Sequence, residues 1–236
     1  MRIVGILGGM SWQSTQLYYD RINTLVGQRL GGLHSAELLL YSVDFGVIEK
    51  LQHDGDWDGA AALLAEAGKR LAQGGAEAIL IATNTMHKMT DDIAAASKLP
   101  ILHIADATAK AIADAGMSRP LLLATAFTME QDFYTSRLKD PFGLTPIIPE
   151  ADDRAQIHRI IYDELCMGIV QEDSKAIYQD IVSKYENEAD CVILGCTEIT
   201  MLIGQDDVAL PVFDTTALHA EAAVDFALNP AFGKES

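Results

Sequence analysis

Short apolar runs recur along the chain and alternate with longer stretches in which apolar and polar residues follow a helical period. An uninterrupted apolar run of about four to six residues is typical of a strand that is covered on both faces. Glycine and proline residues separate these runs from the helical stretches. The predicted strands are Ile3–Leu7, Glu37–Val43, Ala78–Ile81, Ile101–Ile104, Pro120–Ala124, Pro146–Ile148, Cys191–Leu194 and Val212–Asp214.

The amphipathic stretches between the strands predict helices. The clearest are Trp57–Gln73, Asp106–Ala115, Asp153–Cys166 and Ser174–Glu186, and Gly168 follows the third in the usual C-terminal position. Because strands and helices alternate, the pattern predicts βαβ units and parallel sheets. The predicted class is therefore α/β.

The chain also contains an internal repeat. Three blocks recur in the same order, at offsets of 116, 113 and 111 residues. The paired blocks are Ile6–Ser11 with Leu122–Phe127, Glu77–Asn84 with Asp190–Thr197, and Leu99–Leu102 with Leu210–Phe213. One such match between apolar strands could arise by chance, whereas three in order indicate two copies of one Rossmann-like unit.

This repeat predicts two lobes and the place of the active site. The first lobe is expected to comprise residues 1–116 and 209–236, and the second residues 117–208. Ligands of open parallel sheets bind beyond the carboxyl ends of the strands. If the halves are related by a pseudo-two-fold axis, Thr83 and Cys196 occupy equivalent positions on opposite walls of one cleft, where a single carbon could be approached from both faces.

The charge of the chain limits its partners. The 236 residues carry a formal net charge of −17, which would repel phosphate backbones and anionic lipid. Nucleic acid and membrane surfaces are therefore not expected as partners. No apolar run reaches the length of a membrane span, and the start of the chain lacks the features of a signal peptide, so we expect a cytoplasmic protein.

Metal and nucleotide chemistry have little support in the sequence. The histidines have no metal-ligand spacing, and the cysteines Cys166, Cys191 and Cys196 are too few and too scattered for a zinc site, so reduced thiols are expected. The turn Gly8–Ser11 has neither the dinucleotide-binding spacing nor the lysine of a P-loop. A tight turn over a small ligand fits this segment better.

Two loops contain residues suited to acid/base chemistry. Cys196 follows a predicted strand and is expected at a helix N-terminus, which would lower the thiol pKa; the alternative is a small buried apolar side chain. In the matching loop Thr83–His87, Asn and Thr side chains could cap a helix or bind a carboxylate. His87 could lie one helical turn from Thr83. A lone histidine is more often packed than catalytic.

These loops resemble those of the aspartate/glutamate racemase family, and the resemblance extends over essentially the whole chain. It rests on the two loops above and on further matching segments. The further segments are Gly8–Ser11, Arg29–Ser35, His103–Thr108 and Phe127–Tyr134. The resemblance implies a homodimeric racemase that needs neither pyridoxal phosphate nor metal and uses one cysteine per half. It also implies substrate-carboxylate contacts at Met10, Gln52, Asn84, Thr85, Thr125 and Thr197.

The chain departs from the family pattern at Thr83, where the first-half cysteine is expected. A hydroxyl is a much poorer acid and base than a thiol near neutral pH. We therefore expect Cys196 to act on its face of the α-carbon, and Thr83 to act slowly or through a water or His87. The two enantiomers should then react at unequal rates.

Several functions stay open at this stage. The first expectation is racemisation of aspartate or glutamate, but the sequence contains no securely placed arginine for a second carboxylate, so a neutral or larger amino acid is possible. A single thiol would also suit a malonate decarboxylase or a maleate isomerase. The third possibility is an amino-acid-binding protein whose catalytic pair has decayed.

Overall fold

The computed structural model describes residues 1–229, which form two compact units. Unit 1 comprises residues 1–103 and the described residues from His219 onward, and unit 2 comprises Ile104–Leu218. Residues 104–116 and 209–218, assigned to the first lobe from the sequence, here belong to unit 2. The lobe boundaries inferred from the sequence stay a prediction. No helix in the described chain is long and apolar enough to cross a membrane.

Unit 1 contains a parallel four-stranded sheet of order β2-β1-β3-β4. Its strands are β1 (Val4–Gly8), β2 (Leu38–Ser42), β3 (Ala78–Ile81) and β4 (Ile101–Leu102). The central strands β1 and β3 are fully buried, which is why they are apolar without alternation. The strands are connected by α1 (Trp12–Leu30), α2 (Phe45–His53), α3 (Trp57–Gln73), a 3-10 helix (Thr85–Met89) and α4 (Thr90–Ser97).

Unit 2 contains a parallel three-stranded sheet of order β5-β6-β7. The strands are β5 (Pro120–Leu123), β6 (Cys191–Leu194) and β7 (Val212–Asp214). The α-helices are α5 (Ile104–Asp114), α6 (Ala126–Glu130), α7 (Asp132–Lys139), α8 (Ala151–Asp163), α9 (Glu172–Lys184) and α10 (Thr215–Leu228), whose last residues belong to unit 1. The 3-10 helices are Leu165–Met167, Thr197–Met201 and Gln205–Asp207.

The strand registers of the two sheets reproduce the internal repeat. Leu7 pairs with Ile81 in unit 1, and their repeat partners Leu123 and Leu194 pair with each other in unit 2. The same holds one strand further along: the pairs Ile79–Ile101 and Val192–Val212 are repeat equivalents. Two parallel sheets with matching registers confirm the predicted α/β class and the duplication of the unit.

Some predicted elements differ from those observed. The predicted strand Pro146–Ile148 is wrong, because this segment forms only an isolated bridge between Ile147 and Leu121. In unit 2 this bridge pairs with β5 on the side where, in unit 1, the full strand β2 pairs with β1. Strand β4 is shorter than predicted because Ile104 begins α5. The predicted helix Asp153–Cys166 breaks at Glu164, and Gly168 adopts the left-handed conformation after the short 3-10 helix that follows.

Candidate active site

The glycine-rich turn after β1 fits tightly against the loop after β2. Gly9 has a φ of 93°, and a Cβ atom there would lie 2.2 Å from the carbonyl oxygen of Val43. Only glycine can therefore occupy this position, which explains the motif without a phosphate ligand. The turn places Met10 in the core cluster that also contains Met86. Gln52, on α2, is buried in the same unit.

The loop after β3 carries the first predicted catalytic position. Thr83 is half-buried and lies two residues beyond Ile81, and its backbone N–H donates to the Ile81 carbonyl at 2.9 Å. Asn84 and Thr85 follow and are both buried. The ring of His87 contacts the Thr83 backbone rather than its hydroxyl, with Nδ1 2.8 Å from the carbonyl oxygen.

The matching loop in unit 2 carries Cys196. Because Leu123 and Leu194 pair in register, Thr125 and Cys196 each lie two residues beyond paired strand ends, at the same sheet edge. Thr125 is buried at the start of α6, and its hydroxyl lies 3.2 Å from that of Thr128. Thr197, which follows the thiol, is also buried.

A buried carboxylate holds the thiol. The Cys196 Sγ–H donates to Oε2 of Glu198 at 3.0 Å, and the Thr197 hydroxyl donates to the same oxygen at 3.0 Å. Glu198 is itself buried, and Cys196 is half-buried. The site therefore contains a proton donor and a proton acceptor already joined by a hydrogen bond.

The expectation of a lowered thiol pKa at Cys196 is wrong for this structure. Burial and the neighbouring Glu198 carboxylate raise the pKa of the Cys196 thiol well above its ordinary value. The predicted helix is a five-residue 3-10 helix, and Cys196 is its N-cap. Desolvation and the nearby negative charge outweigh any favourable effect of so short a helix terminus on the thiolate.

Glu198 is the functional candidate that sequence reasoning missed. It stands in the motif Gly195–Ile199, which carries part of the family resemblance, but the pattern of the sequence assigns it no role. A carboxylate two residues after a candidate thiol could have been flagged as a proton acceptor. Its repeat equivalent in the first half is Thr85, so the two halves differ in both members of this pair.

The other two cysteines lie at different places in the fold, and one of them is a neighbour of Cys196. Cys191 is fully buried within β6, as expected from its apolar strand, and burial raises its pKa. Cys166 is half-buried in the 3-10 helix Leu165–Met167, and burial, followed by the nearby Glu198 carboxylate, raises its pKa to about 12. Neither thiol follows the carboxyl end of a strand, as Cys196 does.

The predicted site residues divide between the two units. Those in unit 1 are Met10, Gln52, Thr83, Asn84 and Thr85, and those in unit 2 are Thr125, Cys196 and Thr197. Apart from Gln52, which lies on α2 after β2, each set follows the carboxyl ends of adjacent strands, where parallel sheets bind ligands. Within residues 1–229, no group of three or more His, Cys, Asp or Glu side chains could hold a metal ion.

Comparison with known proteins identifies relatives along nearly the whole chain. The sequence profile described as Asp/Glu/Hydantoin racemase matches residues 7–223. A candidate Asp/Glu racemase from Yersinia pestis has a crystal structure with 53% identity and a TM-score of 0.91, over 97% of this chain and 100% of that one.

Two further relatives are more distant. An aspartate racemase homologue from Pyrococcus horikoshii is 34% identical, with a TM-score of 0.82, over 97% of this chain and 100% of its own. The broad specificity amino-acid racemase RacX of Bacillus subtilis is 22% identical over 94% of this chain and 96% of its own. Because the family profile matches residues 7–223, most of the chain, this chain belongs to the Asp/Glu/Hydantoin racemase family.

Proposed function

We propose that the protein is a cofactor-independent amino-acid racemase, with aspartate and glutamate as the first substrates to test. One observation carries the proposal: the Cys196 thiol, at the end of β6, donates a hydrogen bond to the buried carboxylate of Glu198. Family membership supports the reaction class. The Thr83 loop, at the equivalent end of β3, supports a second acid/base position.

The first step is transfer of the Cys196 proton to Glu198. This gives a thiolate and a neutral carboxylic acid, without a change in the net charge of the pair. Because the pKa of Cys196 is raised, only a small fraction of the protein carries the thiolate at neutral pH, but that thiolate is a strong base. A bound substrate ammonium would favour the thiolate by direct charge attraction.

The second step exchanges the proton on the α-carbon. The thiolate removes the α-proton from one face, and the Thr83 side delivers a proton to the opposite face. A threonine hydroxyl is a weak acid and base, so proton transfer on the Thr83 side is the slow one in both directions, and exchange with retention is faster for the enantiomer that presents its proton to Cys196. The two enantiomers then differ in kcat, whereas their kcat/KM values are equal because the equilibrium constant of racemisation is one. Unequal rates leave the equilibrium constant of racemisation unchanged.

In this proposal the substrate carboxylates contact the loop residues that the family resemblance implies. They are Met10, Gln52, Asn84, Thr85, Thr125 and Thr197, through backbone N–H groups and polar side chains. All of them are buried, so contacts to a ligand would be made with little competition from water. A homodimer is also part of the proposal, on the basis of the family resemblance.

Hydrogen–deuterium exchange at the α-carbon tests the proposal. The purified protein is incubated without added cofactor in D₂O with each enantiomer of aspartate and of glutamate. Chiral chromatography measures inversion, and NMR measures loss of the α-proton signal. We expect Cys196→Ala to abolish both. The control Cys166→Ala removes a neighbouring half-buried thiol that also interacts with Glu198, and it should keep both, because Cys166 does not follow the carboxyl end of a strand.

Variants of Thr83 separate the two faces. We expect Thr83→Ala to reduce inversion by about 100-fold or more, the usual contribution of an acid/base group. Deuterium should still enter the enantiomer that presents its proton to Cys196. Thr83→Cys should bring the two directions closer in rate. Equal loss of inversion and of exchange in Thr83→Ala would contradict a role confined to one face.

A second candidate function follows from the single thiol. Cys196 alone, with a hydroxyl at the equivalent position, is suited to protonating an enediolate from one face, as in decarboxylation of a substituted malonate, or to isomerising a maleate-type diacid. Release of CO₂ from a substituted malonate, lost in Cys196→Ala, would favour this function. Tight binding of an amino acid without any α-proton exchange would instead favour a binding protein.

A further inference from the structure

A cluster of buried imidazole rings lies in unit 1 next to the Thr83 loop, and the proposed reaction does not use it. It consists of His87, His103 and His219, and Tyr18 contacts it. The His87 ring centroid lies 4.5 Å from that of His103 and 5.5 Å from that of His219. All four side chains are buried. Burying polar rings costs free energy unless they are hydrogen-bonded, so the partners of their ring nitrogens indicate what the cluster does.

His219 is held at both of its ring nitrogens. Nε2 lies 2.7 Å from the carbonyl oxygen of Leu102, which can only accept, so Nε2 carries the hydrogen. Nδ1 lies 2.9 Å from the Tyr18 hydroxyl and, in the neutral ring, accepts from it. Burial and the nearby His87 lower the pKa of His219 to about 3, so the ring is neutral at physiological pH. With both nitrogens engaged, His219 is a fixed support rather than a metal ligand.

His87 transfers this rigidity to the catalytic loop. Its Nδ1 lies 2.8 Å from the Thr83 carbonyl oxygen, so Nδ1–H is the donor and the tautomer is set. The His87 backbone N–H donates to the Asn84 carbonyl at 3.1 Å. The ring therefore closes the turn Thr83–His87 from within the core, and the His219 ring packs against it in a T-shaped arrangement.

We infer that His87 is a positioning residue that orients the Thr83 hydroxyl, and that His219 and Tyr18 hold its ring in place. The inference rests on the proposed function and deepens it. A displacement of the hydroxyl by about 1 Å can reduce the rate of a proton transfer by about 100-fold. The effect is confined to the face of the substrate served by Thr83, because Cys196 belongs to the other unit and has its own partner, Glu198.

A pair of substitutions at His87 tests the inference. In His87→Asn, the side-chain amide nitrogen is attached to Cγ as Nδ1 is in histidine, so the donor to the Thr83 carbonyl is retained. His87→Leu fills a similar volume without a donor. We expect inversion to fall about 10- to 100-fold in His87→Leu, and His87→Asn to recover most of it. Deuterium exchange with retention, which needs Cys196 alone, should stay within about twofold of the wild type.

A measurement on the substrate-free protein separates this inference from the proposed function. Amide hydrogen exchange followed by mass spectrometry reports on the peptide that contains residues 82–90. We expect faster exchange there in His87→Leu but not in His87→Asn, with no change in the peptide that contains residues 191–201. Circular dichroism and thermal unfolding establish that both variants are folded.

The outcomes are distinct for the two ideas. Absence of α-proton exchange in the wild type with all four substrates would contradict the proposed function. Amide hydrogen exchange of the peptide with residues 82–90 would still show whether His87 holds the loop. Equal loss of inversion and of retention exchange in His87→Leu would overturn the inference. So would identical loop protection in the leucine and asparagine variants.

Discussion

Among single residues, Glu198 has the largest influence on the candidate thiol. Its Oε2 atom accepts hydrogen bonds from both Cys196 and Thr197, which holds the carboxylate close to the sulfur atom. A negative charge at this distance disfavours the thiolate, and the hydrogen bond stabilises the thiol. The same group is the nearest acceptor for the proton that the thiol must lose. Glu198 thus suppresses ionisation of the thiol in the resting protein, but it accepts the thiol proton during the proposed reaction.

Glu198→Gln should separate these two effects. Removing the charge lowers the Cys196 pKa, so at pH 7 alkylation of Cys196 by iodoacetamide should be faster than in the wild type. Racemisation should fall by about 100-fold or more, because the proton acceptor is lost. Peptide mapping by mass spectrometry distinguishes Cys196 from Cys166.

The control for this variant is Glu188→Gln, which alters an exposed carboxylate on the loop before β6. Its alkylation and racemisation rates should match those of the wild type. As the pH rises, the alkylation rate should increase at a lower pH in Glu198→Gln than in the wild type. An unchanged alkylation profile would show that the carboxylate does not control the thiol.

At the scale of elements, the contact between β5 and β6 positions the Cys196 loop. A Cβ atom on Gly195 would lie 2.9 Å from Ala124 Cβ and 3.2 Å from the Leu123 carbonyl oxygen. The Gly195 backbone N–H donates to that same carbonyl at 2.7 Å. The absence of a side chain at Gly195 therefore allows the two strand ends to approach each other.

Gly195→Ala should destabilise the protein by about 1–3 kcal/mol through overpacking, and it should reduce activity by displacing Cys196. The matched control is Gly204→Ala, because a Cβ atom there would have no atom within 4 Å. That variant should stay within about 0.5 kcal/mol of the wild type. Urea unfolding measures both. Equal stability of the two variants would show that β5 and β6 can separate at little cost.

A carboxylate joins the amino ends of the same two strands. Asp190, just before β6, accepts from the backbone N–H groups of Ser118 and Arg119, each at 2.9 Å. Burial acts to raise the Asp190 pKa, but these N–H groups outweigh it and lower the pKa below its ordinary value. The charged carboxylate therefore contributes to folding stability.

Asp190→Asn should cost about 1–3 kcal/mol of unfolding free energy at pH 7, the usual range for hydrogen bonds to a charged group. A lowered pKa contributes stability that is present above the unfolded-state pKa and is lost as the pH falls through the folded-state value. The difference between wild type and variant should therefore narrow below about pH 4. Unfolding curves at several pH values test this, and Asp20→Asn, at an exposed site on α1, should show no such difference.

At the scale of the whole molecule, the net charge of −17 opposes the approach of an anionic substrate. Between about 10 mM and about 150 mM salt, the Debye length falls from about 30 Å to about 8 Å. For aspartate or glutamate, kcat/KM should rise by about two- to tenfold over this range, while kcat stays nearly constant. A fall in kcat/KM with salt would instead indicate that a local positive field guides the substrate.

The sequence by itself determined the repeated α/β units and the equivalence of Thr83 and Cys196. The pattern of apolar residues is a local property of the sequence, and a parallel strand buried on both faces appears as an uninterrupted apolar run. The strands that end near Leu7, Ile81, Leu123 and Leu194 can therefore be aligned from the sequence alone. A three-residue apolar run is a weak form of this signal, which is why the segment around Ile147 was predicted as a full strand although it forms only an isolated bridge.

Only the tertiary structure decided the electrostatics of the site and the support of its loops. Whether Glu198 contacts Cys196 depends on how a short 3-10 helix turns its side chains, and desolvation of the thiol depends on everything that surrounds it. Tyr18, His87 and His219 lie far apart in the sequence, and the sequence pattern around a histidine does not show which residues its ring contacts in the folded chain. Hydrogen bonds and burial join distant segments, so their effect on a pKa or a loop exists only once the chain has folded.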